Sequence, residues 1–142
     1  MIITETIRCR GHPLVLGTHP TTFEVTMEDQ LTETGNCIIG IAADTGCAGL
    51  SPEFKRALAR DGAVLRTTLG CDGIRTVIGS KGSSKMTLEH PTDLVWRRSQ
   101  FVCGRTIGIL SDTVSRTLPR SLIAKLAEGC PMVVTLEVTR PD

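Results

Sequence analysis

Eight or nine short stretches of this chain either alternate apolar with polar residues or run apolar, and very few carry helical spacing. That pattern restricts the fold more than any motif does. Ile3, Glu5, Ile7 and Cys9 alternate with Thr4, Thr6, Arg8 and Arg10, the period of a first strand. Residues 21–27 alternate again, with Phe23, Val25 and Met27 on one face and Thr22, Glu24 and Thr26 on the other. Residues 37–43 are nearly all apolar, as in a strand buried on both sides. Residues 63–69 and 74–78 flank Asp72-Gly73, a strong hairpin signal. Residues 86–89, 94–99 and 105–110 are further strand candidates, and 132–138 close the chain, alternating and β-branched. A polar turn is expected over 28–35 and a flexible loop over 79–84.

Helices are fewer. Ser51 is a good N-cap, Pro52 fits the first helical position, and Glu53 complements the positive end of the dipole. Phe54, Ala57 and Leu58 give that helix its apolar face, and Gly62 ends it. Ser111 caps a helical segment running to Leu118, and Pro119 starts a last helix with Leu122, Ile123 and Leu126 on one face and Gly129 at its end. The class is mainly β with α: a β-sandwich or barrel decorated by two or three helices. No sequence repeat and no internal boundary are evident, so residues 1–142 read as a single domain.

Aromatic residues number three Phe, one Trp and no Tyr, so the core is aliphatic and stacking platforms for bases are nearly absent. That argues against single-stranded nucleic acid, and a net charge of +1 supplies no global field toward polyanions. No apolar run is long enough to span a membrane, and the N-terminus lacks a signal-peptide pattern, so the cytoplasm is expected. The six cysteines are spread without a C-x-x-C pair and read as reduced and mostly buried.

The candidate site rests on rare polar residue types at expected strand ends. His12, His19 and His90 each precede a proline, which favours extended backbone. With Glu24 they are the residue types of a zinc or iron site, His12, His19 and His90 being the ligands. The spacing matches no standard zinc pattern. The same histidines can equally pin turns. Arg97 and Ser99 share a strand face, with Trp96 and Arg98 on the other, and Arg105-Thr106 follows shortly after. Arginine pairs suit carboxylate or phosphate.

The segments Gly11-His12-Pro13, His19-Pro20-Thr21-Thr22-Phe23-Glu24-Val25-Thr26, Gly35-Asn36-Cys37-Ile38-Ile39-Gly40, Val95-Trp96-Arg97-Arg98-Ser99 and Gly104-Arg105-Thr106 occur in order along the chain. In them the chain resembles a small archaeal family of unknown function, domain of unknown function 371. The resemblance implies a jelly-roll-like fold and a cytoplasmic protein, and brings no activity with it. Leu14 stands where that pattern has a polar residue, and Ser111-Asp112-Thr113-Val114 where it has a lysine-rich helix start.

The leading expectation is a small-molecule binding protein or enzyme for an anionic ligand. His12, His19 and Glu24 would act as acid–base groups, and Thr22, Arg97, Ser99, Arg105 and Thr106 would hold the substrate. The alternative is a non-enzymatic binding or assembly module, a homo-oligomer for example, using Val15, Leu16 and Trp96 as interface. Weak nucleic-acid binding through Lys81, Lys85, Arg97 and Arg98 ranks last.

Overall fold

The computed structural model describes residues 1–31 and 35–139. Ten elements follow in order: β1 (Ile2–Arg10), β2 (Thr22–Thr26), β3 (Ile38–Gly40), α1 (Pro52–Leu58), β4 (Val64–Cys71), β5 (Ile74–Lys81), β6 (Asp93–Arg97), β7 (Thr106–Gly108), α2 (Arg120–Ala127) and β8 (Pro131–Thr139). Single 3₁₀ turns at Cys47–Gly49 and Ser115–Thr117 precede the two helices. The strands form two four-stranded sheets, ordered β1-β8-β4-β5 and β3-β2-β6-β7. Single bridges, Arg10 to Ile41 and Lys81 to Ile109, tie the sheets together at their edges without merging them into one closed barrel. The mainly β class with helical decoration is therefore what forms. A jelly roll is antiparallel throughout, whereas β2–β3 and β6–β7 are parallel here.

Local chemistry explains most boundaries. The Ser51 hydroxyl accepts from the Phe54 amide at 3.2 Å, capping α1 as its sequence requires. Ala42 and Leu110 take left-handed backbone (φ 53° and 51°), which stops β3 and β7 well short of the expected ranges. Leu88 does the same at φ 51°, and the strand expected over 86–89 becomes a loop that still buries Met86 and Leu88. The Ser111 hydroxyl turns to the Thr113 carbonyl at 2.7 Å, so the helix expected over 111–118 reduces to one 3₁₀ turn. β5 runs through the expected flexible loop to Lys81. The polar turn expected over 28–35 lies partly outside the described residues.

One aliphatic core fills the space between the sheets. Within it Phe23 and Trp96, both fully buried, stack at 4.4 Å between ring centroids and 11° between planes. Such a contact adds about 1 kcal/mol beyond burial itself. Trp96 Nε1 donates to Thr67 Oγ1 at 2.8 Å, so the one indole satisfies its polar atom inside the core. Trp96 and Val15 are thus buried and cannot form the interface expected of them; of that trio only Leu16 is exposed. All six cysteines are free; Cys9, Cys47 and Cys71 are buried and the other three half-buried.

The chain is internally repeated, contrary to the expectation of no repeat. The order β1-β2-β3-α1-β4 recurs as β5-β6-β7-α2-β8, and both sheet orders are unchanged when the halves are exchanged. An approximate two-fold axis therefore passes between β4 and β8 and between β2 and β6. Matching hydrogen bonds recur: Leu14 N–H to His12 Nδ1 and Lys85 N–H to Ser83 Oγ; Arg8 N–H to Asp44 and Gly79 N–H to Asp112. Side-chain identity survives at few positions, some of which backbone geometry demands, and this hides the repeat from periodicity.

Two of those demands are glycines. A Cβ at Gly11 would lie 1.9 Å from the Leu126 carbonyl oxygen, and one at Gly82 would lie 2.1 Å from that of Leu58. Each half therefore seats the end of the other half's helix. Gly11→Ala and Gly82→Ala should each cost about 2–3 kcal/mol, by similar amounts, in urea denaturation. A loss at one site only would break the equivalence.

Candidate functional site

The antiparallel register of β2 and β6 sets Thr22 opposite Arg97, Glu24 opposite Val95 and Thr26 opposite Asp93. These residues alternate with the core aromatics, so period two turns them to the far face of the sheet. That face is covered: every residue of β2 is buried, and Glu24 is only 4% exposed. A buried carboxylate needs partners. Glu24 finds Arg105, whose Nη1 lies 3.3 Å from Glu24 Oε1 and 3.2 Å from Asp93 Oδ2. Arg105 comes from the tight turn before β7, where the Cys103 amide donates to Thr106 Oγ1 (3.1 Å) and the Thr106 amide donates to the Cys103 carbonyl (3.0 Å).

The two carboxylates have opposite electrostatics. Burial, reinforced by the Asp93 charge, lifts Glu24 to about 7, against the pull of Arg105 and Arg97. Burial would lift Asp93 too, but bonds from Thr26, Thr92 and Arg105, with His90 nearby, outweigh it and hold Asp93 below its ordinary range. Thr26 Oγ1 donates to Asp93 at 2.7 Å and Thr92 Oγ1 at 3.0 Å. Paired acids pushed apart in this way are a mark of sites that move protons.

A second group adjoins the first. Arg97 Nε donates to Thr106 Oγ1 at 2.9 Å, its Nη2 lies 3.3 Å from Cys103 Sγ, and its guanidinium sits 4.9 Å over the Phe101 ring. Burial raises the Cys103 thiol, but the Arg105 amide, the Thr106 hydroxyl and Arg97 together bring it below its usual value. Cys37, by contrast, is raised by burial and by the Glu24 charge.

Of the residues singled out in the sequence, Glu24 meets Arg105 directly, and Arg97 meets Thr106. Thr22 pairs with Arg97 across the strands, but its hydroxyl lies 3.1 Å from His19 Nδ1. Ser99 accepts from the Phe101 amide and stays outside the network. The proposed ligand set of His12, His19 and His90 does not assemble, and no group of three or more metal-ligating side chains exists among the described residues. The reason is local. Each imidazole folds back over its own His-Pro turn, its Nδ1 accepting from amides just beyond the proline: Leu14 for His12, Thr21 and Thr22 for His19, Thr92 and Asp93 for His90. Only His90 reaches the site, with Nε2 3.9 Å from Asp93 Oδ2.

Asp93 and Cys103 were not anticipated. For Asp93 a signal lies in comparing the halves. His90-Pro91-Thr92-Asp93 matches His19-Pro20-Thr21-Thr22, and Ile107-Gly108-Ile109 matches Ile39-Gly40-Ile41. In that alignment Asp93 replaces Thr22, Arg97 replaces Thr26, Arg105 replaces Cys37, and Val95 stands opposite Glu24. The network sits where the repeat has diverged.

The protonation of buried Glu24 ties stability to pH. Its folded state holds the proton up to about pH 7, while the unfolded chain releases it near 4.5. Stability from this group is therefore full below about 4.5 and falls as pH rises to about 7, by about 3 kcal/mol at most. Glu24→Gln should flatten that decline in urea melts between pH 5 and 8, and should equal or exceed the parent in stability at pH 8. A variant that keeps the parent's slope would assign the pH dependence elsewhere.

The family model for a domain of unknown function, DUF371, matches residues 7–139. The uncharacterized protein MJ0206 of Methanocaldococcus jannaschii is 39% identical over 132 residues, spanning 93% of this chain and 97% of its own length. Both matches run through the two halves and the network between them, and the chain belongs to the DUF371 family.

Proposed function

We propose that this protein binds a small anionic molecule over the Glu24–Asp93–Arg105 cluster and carries out acid–base chemistry on it, Glu24 moving the proton. The observation that carries this reading is the state of Arg105. Both of its carboxylate contacts use Nη1, leaving Nε and Nη2 without a partner among the described residues, and the side chain is 42% exposed. A guanidinium edge with two parallel donors suits a carboxylate or phosphate. Arg97 adds a second positive charge beside it, and Asp93 holds Arg105 in place.

Protonation of Glu24 supports the same reading. With Glu24 neutral, one carboxylate faces two guanidiniums and the cluster favours an anion. With Glu24 charged, that surplus is gone. A proton held at about neutral pH on a buried carboxyl beside the ligand is also what a general acid needs. His90, rather than His12 or His19, is the imidazole adjacent to this cluster.

Thermal-shift and calorimetric titration with small carboxylates and phosphates tests the proposal. At least one should bind at pH 6 and weaken several-fold by pH 8. Arg105→Met should weaken it tenfold or more, about 1.4 kcal/mol, while Arg98→Met, an exposed neighbour, leaves it intact. Binding that ignores both pH and Arg105 would overturn the assignment.

A further inference from the structure

The net charge of +1 conceals a segregation of charge. Alternation along the β1-β8-β4-β5 sheet turns Ile3, Ile7, Leu65, Leu69, Ile78, Val134 and their neighbours into the core. The opposite face carries Arg8 and Arg10 on β1, Arg66 on β4, and Arg75 and Lys81 on β5, all exposed. Its strands contribute one carboxylate, Glu137 on β8. None of the five cations is ion-paired among the described residues. Carboxylates also stand at its margins: Asp44 accepts from the Arg8 amide and Asp112 from the Gly79 amide, while Asp72 pairs with Lys125 at 3.0 Å.

The cations are spread over the face in a defined way. The register aligns Arg8, Val133, Gly70 and Arg75 in one row, so Arg8 and Arg75 lie on opposite edge strands, about 14 Å apart at three strand spacings. Arg66 stands two rows further along, beside the row of Lys81, about 13 Å from Gly70 along β4. Between them runs a row containing Thr6, Thr135 and Thr68. Part of the face dips into a concavity of about 480 Å³, lined by Gly70, Arg75 and Thr135 and, on its acidic side, by Asp72 and Glu137. No aromatic ring stands on it.

We propose that this face binds the phosphate backbone of duplex nucleic acid, without reading sequence. Positive groups about 14 Å apart match phosphates flanking a groove of about 12 Å. Arginine, lysine and threonine hydroxyls are the usual backbone contacts. The lack of aromatics, which counts against single strands, leaves duplex binding untouched, because paired bases offer no free faces to stack on. This surface is distinct from the Glu24 cluster, so either assignment can fail alone.

Fluorescence anisotropy with 20-base-pair DNA and RNA duplexes of one sequence tests it. Binding should be measurable at 50 mM salt. Log K should fall against log salt with a slope of about −3 to −4.5, for three to five phosphates neutralised. Arg8→Gln with Arg75→Gln should reduce the slope by about 2. Arg56→Gln with Arg60→Gln, exposed cations away from the face, should not. Binding to either duplex supports the proposal, and the tighter one names the polymer. No anisotropy change at 100 µM protein, unchanged binding in the face variant, or tighter capture by phosphatidylserine vesicles than by either duplex would overturn it.

Discussion

The pairing of β2 with β6 decides what is core and what is chemistry in this protein. Its register places Phe23 opposite Trp96 and Val25 opposite Leu94 on the inward face, and Glu24, Asp93 and Arg97 on the other. Because side chains alternate with period two, a slip of one residue would carry every one of them to the wrong side. The stacked rings and the indole bond to Thr67 hold the register from within. The polar network is thus fixed from below by apolar packing, and its carboxylates need no flexibility of their own to meet Arg105.

Burial then differentiates groups that start alike. Glu24 and Asp93 share one guanidinium, yet hydroxyl donors surround Asp93 and not Glu24. The two acids part on that difference. The cysteines behave similarly: burial pushes Cys9 and Cys47 up to about 12, whereas Cys103, beside Arg97 and Thr106, moves down. Local donors decide each case more than residue type does.

Much of this was legible in the residues and some of it was not, for identifiable reasons. Alternation in 3–10 and 132–138, the Asp72-Gly73 turn and the Ser51-Pro52 cap are local signals, and they match β1, β8, the β4–β5 hairpin and α1. Left-handed backbone at Ala42, Leu88 and Leu110 leaves no trace in residue type, so β3 and β7 were expected too long and a strand was expected at 86–89. The partner of buried Glu24 is an arginine 81 residues away. Arginines and acids at strand ends stand out in the residues, and of these Glu24 meets Arg105 while Arg97 meets Thr106. An isolated aspartate in a His-Pro-Thr-Asp turn reads as turn chemistry, which it also is, so nothing local singles out Asp93.

The two-fold repeat bears on what the site could be in a simpler molecule. Most strand pairings join one half to the other; within a half only β2–β3 or β6–β7 is complete. A lone half would need a second copy of itself. In such a symmetric pair the position of Glu24 would face its own image, since Glu24 and Val95 are both equivalent in the repeat and opposite in register. Two carboxylates with Cβ atoms about 5 Å apart would then share one buried spot, and repulsion would forbid the arrangement. Covalent fusion removes that obstacle: with valine on one side of the axis, a single acid can sit beside it, and the protein has one specialised end instead of two compromised ones.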